Sequence, residues 1–339
     1  MLDRVCVLGS GSWGLAASGL IAPKVKTVVM WSHEQEIADF INLHHKNPMQ
    51  LKDYELPSNV VATHDITQAL AGANACICVV PSQYVRAIAE AAKDFVAPDL
   101  PVLVLTKGLE ADTNFTMSQL IASIWQHEER VCVLSGPNHA EEISMGKLSA
   151  ATIASHSDHY AHVFQQLFMN EKFRTYISND VIGVELCAAI KNVIAIACGI
   201  ALGMGYGDNA QAVLMTRGLA EISRIVRAQG GKPMTCMGLA GMGDLIATCT
   251  SKHSRNRSFG LAFAQGETLK AYEARTHMIV EGVRACEGTW QLCKKLKIDS
   301  PLTDSVHAIL YEDAKLEQVV ASLLERIPHE EFYGSHTKE

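Results

Sequence analysis

One stretch constrains this chain more than any other, 183-GVELCAAIKNVIAIACGIALGMGYG-207. Wound as a helix from about Glu185 to Leu202, it presents apolar residues on every face, so other elements must enclose it. Lys191 and Asn192 interrupt it at its centre. An ammonium in that setting is costly unless paired, and desolvation lowers a lysine's pKa towards the range in which it exchanges protons. Two other readings exist. A membrane span needs about 20 uninterrupted apolar residues and penalises a central lysine, and a helix nearer the surface would let the lysine snorkel to solvent. Lys191 gains weight from standing directly after what reads as a complete nucleotide-binding half.

That half opens with 4-RVCVLGSGSWGLAASGL-20. A short apolar strand runs into Gly9-x-Gly11-x-x-Gly14 and then an Ala-rich helical pattern, the strand, turn and helix order that a dinucleotide fingerprint requires. Gly9 permits the tight turn, Gly11 lets a pyrophosphate approach the backbone, and Gly14 lets helix and strand pack closely. The helix start then offers free N–H groups and a positive dipole end to phosphates. After the next strand, 27-TVVMW-31, come Ser32, His33, Glu34 and Gln35. Glu34 lies near the point where a ribose-reading acid is expected, but Ser32 and Gln35 form a capping box that explains the acid by the helix dipole alone. His33 could accommodate a 2′-phosphate, so NAD and NADP both stay open.

Strand and helix patterns continue to alternate. Strands are expected near 60-VVAT-63, 75-ACICVVPS-82, 101-PVLVLTKG-108 and 131-VCVLSGP-137, with helices over 83–96 and 114–125. Such apolar runs fit strands buried on both faces, so the fold class is α/β with a doubly wound, mostly parallel Rossmann-type sheet. Ligands bind beyond the carboxyl ends of such strands, which singles out Pro81-Ser82, Lys107 and Gly136-Pro137-Asn138. Each has a plainer explanation: Lys107 as a solvated loop residue, and Asn138, followed by Glu141, as a helix cap.

At 339 residues the chain exceeds the size at which one core keeps growing, so two domains are expected. Strand signals stop after 149-SAATIAS-155 and 172-KFRTYIS-178. The boundary is expected near 180, with a Rossmann-type domain over 1–180, an all-helical domain over 181–327 and a polar tail over 328–339. Inside the helical half lies 238-GLAGMGDLIATCTSKHSRNRSFG-260. Its glycines leave Asp244 at a turn, and Ser254 can cap a helix whose first turn carries Arg255, Asn256 and Arg257. Arginines there face the wrong end of the dipole, a mismatch of about 0.3–1 kcal/mol each, which a bound anion would reverse.

Composition narrows the partners. A net charge of −7 argues against non-specific nucleic-acid binding, although a basic cluster could still hold a small anion. Ten cysteines without a metal-type or redox-type CxxC point to reduced thiols in a cytosol and to no metal site. No basic, apolar and cleavable series opens the chain, so neither signal peptide nor transmembrane segment is expected.

Several segments together, GSGSWG, VVPS, TKGLE, Ser135 to Glu142 as SGP-x-x-A-x-E, IGVELCAAIKNVIAIACG, GLAGMGDLIATCTS, SRNR and VEG at 280–282, resemble bacterial NAD(P)-dependent glycerol-3-phosphate dehydrogenases. The resemblance covers nearly the whole chain up to about Arg326. It implies an all-α C-terminal domain similar to that of 6-phosphogluconate dehydrogenase, NAD or NADP as coenzyme, and a cytoplasmic enzyme supplying glycerol 3-phosphate for phospholipid. The apolar helices of the second half suit a homodimer. Beside Gly9, Gly11 and Gly14, the resemblance assigns coenzyme contacts to Ser12, Trp13, His33, Lys107, Ala140, Arg255, Ile279 and Glu281. Substrate contacts fall to Lys107, Gly136, Asn138, Lys191, Asp244, Ser254, Arg255 and Asn256. Asn138 and Ile279 depart from the commonest family pattern but keep its side-chain character. The expected reaction is hydride transfer to C2 of dihydroxyacetone phosphate, with Lys191 as proton donor, Asp244 holding it and Lys107 adding charge. Two alternatives are another dehydrogenase of the 3-hydroxyacid and 6-phosphogluconate group, and a dinucleotide-sensing protein without turnover.

Overall fold

A computed structural model of the chain describes residues 2–327 together with 330 and 331, so most of the expected polar tail lies outside the described residues. Strands and helices alternate first: β1 (Leu2–Leu8), α1 (Ser12–Ile21), β2 (Val25–Trp31), α2 (Gln35–His44), β3 (Val60–Thr63), α3 (Ile66–Leu70) and β4 (Ala75–Cys78). There follow α4 (Val85–Ala92), β5 (Val102–Val104), α5 (Met117–Trp125), β6 (Val131–Ser135), α6 (Ala140–Ser144), β7 (Ser149–Ala154), α7 (Asp158–Phe168) and β8 (Phe173–Ser178). From there on the elements are helical: α8 (Val181–Gly203), α9 (Asp208–Ala228), α10 (Asp244–Thr250) and α11 (Arg255–Ala264). The last are α12 (Leu269–Thr276), α13 (Glu281–Leu296), α14 (Pro301–Tyr311) and α15 (Leu316–Glu325).

The chain divides into two compact units. One comprises the residues up to Thr106 together with Met117–Val181; the other comprises Lys107–Thr116 and everything from Ile182 onward. Residues 107–116 therefore fold with the helices although they interrupt the sheet region in sequence.

In the first unit all eight strands form one sheet in the order β3-β2-β1-β4-β5-β6-β7-β8. Pairing is parallel throughout except between β6 and β7. The central strands are buried along their length, as expected for a sheet with helices on both faces. Strand order reverses direction between β1 and β4, and at such a switch point two adjacent loops part to leave a crevice. Several strands stop short of their apolar runs: β4 ends at Cys78 and β5 at Val104, because the ladder ends there and the following residues turn away as loops.

Two expected caps do not form. Ser32 is fully buried and shares a hydrogen bond of 2.8 Å with the Ser10 hydroxyl, so it serves the fingerprint turn while Glu34 precedes α2 without a side-chain cap. Asn138 likewise leaves the position before α6 to His139 and donates from Nδ2 to the Ala150 carbonyl at 3.0 Å, tying its loop to β7.

In the second unit α8 is enclosed, and close contacts explain why so apolar a helix is stable there. A β-carbon on Gly199 of α8 would collide with the Arg257 carbonyl of α11, and one on Gly260 of α11 would collide with the Ile196 carbonyl. Backbones thus approach where both helices lack side chains. On another side Gly218 of α9 packs against Ile194. The helix is long and apolar enough to cross a membrane, but 78% of its most apolar window is buried inside the protein. Packing within the bundle accounts for that hydrophobicity. All ten cysteines are buried and unbridged.

Candidate active site

The first unit supplies a phosphate cradle. Gly9 adopts φ +125°, and a β-carbon there would lie 3.1 Å from the Val79 carbonyl carbon, so only glycine fits the turn. A β-carbon on Gly14 would collide with the Gly9 carbonyl oxygen, whereas one on Gly11 would meet nothing within 4 Å. Gly11 is exposed and α1 starts without a side-chain cap, so the loop is open and its helix amides face the place where an anion would rest. These features fit a dinucleotide pyrophosphate.

Around the cradle, Ser12 donates its hydroxyl to Gln50 Oε1 at 2.7 Å, and Trp13 is half-buried against the core of the sheet. His33 is exposed beyond β2, its ring edge-on to Trp31 at 6.1 Å between centroids, and Glu34 beside it is also exposed. Ala140 is buried at the start of α6, and Gly136 is buried after β6, where a β-carbon would come within 2.6 Å of the Ala150 carbonyl. Asn138 Oδ1 is buried without a partner.

The second unit holds a cluster of charge. Lys191 of α8 is 5% exposed and places Nζ 2.9 Å from Asp244 Oδ1. Lys107 reaches the other carboxylate oxygen, Oδ2, at 2.6 Å. Asp244 itself is 2% exposed at the first turn of α10. It follows a π-turn over Leu239–Gly243, in which the Gly243 amide bonds to the Gly238 carbonyl at 3.1 Å and a β-carbon on Gly241 would collide with the Cys236 carbonyl. One turn further along α10, Thr248 Oγ1 accepts from Lys191 Nζ at 2.5 Å and donates to the Asp244 carbonyl at 2.6 Å. Thr248 was missed as a site residue, although its spacing of four from Asp244 on a helix puts both on one face.

Burial pushes the Lys191 ammonium down to about 8, a fall that Asp244 opposes and Lys107 reinforces. Burial alone would raise Asp244, but the adjacent Lys107 and Lys191 outweigh it and hold the carboxyl below its ordinary value. One carboxylate thus serves two ammonium groups. The cluster keeps a surplus positive charge, an arrangement suited to an oxygen that becomes negative during reaction.

At the start of α11 Ser254 caps the helix by accepting from the Arg257 amide at 3.3 Å, and Arg255 is exposed. Asn256 is buried and committed to structure: it donates to Asn192 Oδ1 at 2.9 Å and accepts from the Gly282 amide at 2.8 Å. Its side chain therefore knits α8, α11 and α13 together, and at most one N–H remains for a ligand. Ile279 and Glu281 are half-buried just before and at the start of α13.

Comparison with known proteins now decides the family. The NAD-dependent glycerol-3-phosphate dehydrogenase N-terminal profile matches residues 4–161, and the C-terminal profile of the same family matches residues 180–321. The chain belongs to the NAD-dependent glycerol-3-phosphate dehydrogenase family. It is 42% identical over 333 residues to the glycerol-3-phosphate dehydrogenase [NAD(P)+] of Bacillus pumilus, covering 98% of this chain and 96% of that one. Identity to the Nocardia farcinica enzyme of the same name is 45% over 334 residues, with 96% and 98% covered. The crystal structure of glycerol-3-phosphate dehydrogenase from Coxiella burnetii superimposes with a TM-score of 0.92 at 36% identity, covering 96% of this chain and 99% of that one. Membership makes the chain an oxidoreductase that works with NAD or NADP.

The charge cluster predicts a pH effect. Because Asp244 raises the Lys191 pKa, Asp244→Asn should move the pH profile of kcat/KM for dihydroxyacetone phosphate reduction to lower pH. A profile that stays in place would remove Asp244 as the counter-charge of Lys191.

Proposed function

We propose that this glycerol-3-phosphate dehydrogenase reduces dihydroxyacetone phosphate reversibly at C2, with Lys191 as the group that gives and takes the proton. The observation that carries this reading is the buried Lys191, brought to about 8 and paired with Asp244 beside a second ammonium. The coenzyme, seated on Gly9, Gly11, Ser12, Trp13 and Gly14 with His33 and Ala140 nearby, supplies or accepts the hydride. Arg255, Ile279 and Glu281 complete the coenzyme contacts.

As C2 is reduced its oxygen becomes negative. Lys191 donates to that oxygen, Lys107 stabilises the charge before the proton arrives, and Asp244 with Thr248 holds the Lys191 amine in line. The exposed Arg255 at the start of α11, with the Ser254 and Asn256 segment, takes the substrate phosphate, since guanidinium and helix N–H groups act on an anion in the same sense. Gly136 and Asn138 contribute to the substrate pocket.

The chain suits a homodimer, since Val213, Met234 and Met237 in and after α9 are largely exposed. Sedimentation at micromolar concentration should give twice the 36.9 kDa chain mass, and a monomer would end that reading. Its unbridged thiols suit a cytoplasmic enzyme whose product, a phosphorylated alcohol, feeds phospholipid synthesis; rescue of a deletion strain by glycerol 3-phosphate tests this role.

Lys191→Ala should leave NADH binding nearly intact while kcat falls about 100-fold or more. In the wild type, reduction needs the ammonium and oxidation the free amine, so kcat/KM should fall for reduction and rise for oxidation as pH passes about 8. A loss of only a few-fold, or profiles that run the same way in both directions, would refute the role. Arg255→Leu should raise KM for dihydroxyacetone phosphate far more than for unphosphorylated dihydroxyacetone. Equal effects on both substrates would show that Arg255 does not read the phosphate.

A further inference from the structure

The first unit carries a cavity of about 350 Å³, to which the dehydrogenase reading assigns nothing. The C-terminal half of α1 forms one wall, whereas the glycine fingerprint lies at that helix's other end. At 1.5 Å per helical residue, Gly19 stands about 12 Å along the axis from Gly11.

Three lysines line the cavity, Lys24, Lys147 and Lys172, and no carboxylate does. The Lys24 ammonium is anchored on the carbonyls of Gln166 and Met169, which leaves one of its three donors for a ligand. Lys147 and Lys172 are exposed and form no ion pair among the described residues. In a chain of net charge −7, this is a local concentration of positive charge with no carboxylate among the residues that line it.

Tyr54 indicates that the cavity is built rather than left over. A β-carbon on Gly19 would collide with the Tyr54 hydroxyl, so glycine, a residue disfavoured within helices, is what lets the phenol sit against α1. Tyr54 lines the cavity, and its hydroxyl makes no hydrogen bond to another described residue. Ile143 and Phe173, also in the lining, are buried and apolar.

We propose that this cavity binds a small phosphate monoester with an apolar body. Lys24, Lys147 and Lys172 hold the phosphate, Tyr54 adds an O–H donor, and the body rests on Ile143 and Phe173. The volume lies at the small end of ligand sites, which favours one ring or a short chain over a dinucleotide.

Phenyl phosphate, titrated calorimetrically into enzyme saturated with NADH and glycerol 3-phosphate, tests the site while the dehydrogenase sites are filled. Binding should persist in wild type and in Arg255→Leu, weaken a few-fold in Tyr54→Phe, and weaken at least about tenfold in the Lys147→Glu, Lys172→Glu double variant. The double variant, changed only at exposed positions, should keep its kcat. No binding to the filled wild-type enzyme, or binding indifferent to the charge reversal, overturns the proposal. So does binding to phosphatidic acid vesicles without binding to phenyl phosphate, which would make the lysines part of a membrane-facing surface.

Discussion

Two ammonium groups sharing one buried carboxylate is the interaction on which the rest of this protein depends. Asp244 meets Lys191 at 2.9 Å through one oxygen and Lys107 at 2.6 Å through the other. Taking such charges from water costs several kcal/mol per ion, and a single carboxylate balances only one of the two amines. Thr248 adds a further bond to the Lys191 amine, which helps to hold the arrangement. In the proposed mechanism its use is chemical: a positive charge already in position and already desolvated acts on a developing anion without waiting for solvent to reorganise.

The scaffold imposes this through contacts that are mostly not electrostatic. Gly199 and Gly260 let α8 and α11 touch backbone to backbone, which fixes the rotation of α8 and therefore the direction in which Lys191 points. The Asn192, Asn256 and Gly282 hydrogen bonds pin the same helix to α11 and α13 one residue beyond the lysine. Opposite, the glycine-rich π-turn turns the chain so that α10 begins at Asp244. Thr248, held by its own bond to the Asp244 carbonyl, also accepts from the amine, so Lys191 cannot swing away from Asp244 without losing two hydrogen bonds.

Much of this was legible in the residues because it is local. The strand, glycine turn and helix at the start obey short-range sterics, and the apolar runs of the central strands reflect burial on both faces. Lys191 stood out because an amine inside an apolar helix has so few satisfactory environments. What escaped was the choice of partner over long distance. Ser32 and Gln35 spell a capping box, but the Ser10 hydroxyl competes for the buried Ser32 and wins. Asn256 reads as a ligand contact, yet its side chain is occupied by residues 64 and 26 positions away. Nothing in the run TKGLE announces that residues 107–116 leave the sheet unit to fold with the helices, because the partners lie far along the chain: Leu109 packs in the helical core and Lys107 meets an aspartate 137 residues further on.

In the proposed role of Lys191 as acid and base, the degree to which burial shifts it has a direct kinetic meaning. At the ordinary value of 10.5, presenting the free amine at pH 7 would cost about 5 kcal/mol, since each pKa unit is worth about 1.4 kcal/mol. At about 8 the same step costs only on the order of 1 kcal/mol, while most molecules still carry the proton that reduction needs. The difference corresponds to a few hundredfold in the population of the basic form, comparable with what a positioned acid or base contributes to a rate. A deeper burial without Asp244 would favour the neutral amine and starve reduction, and a solvated amine would starve oxidation. The aspartate therefore sets how far burial is allowed to act, and a reversible dehydrogenase needs that intermediate setting.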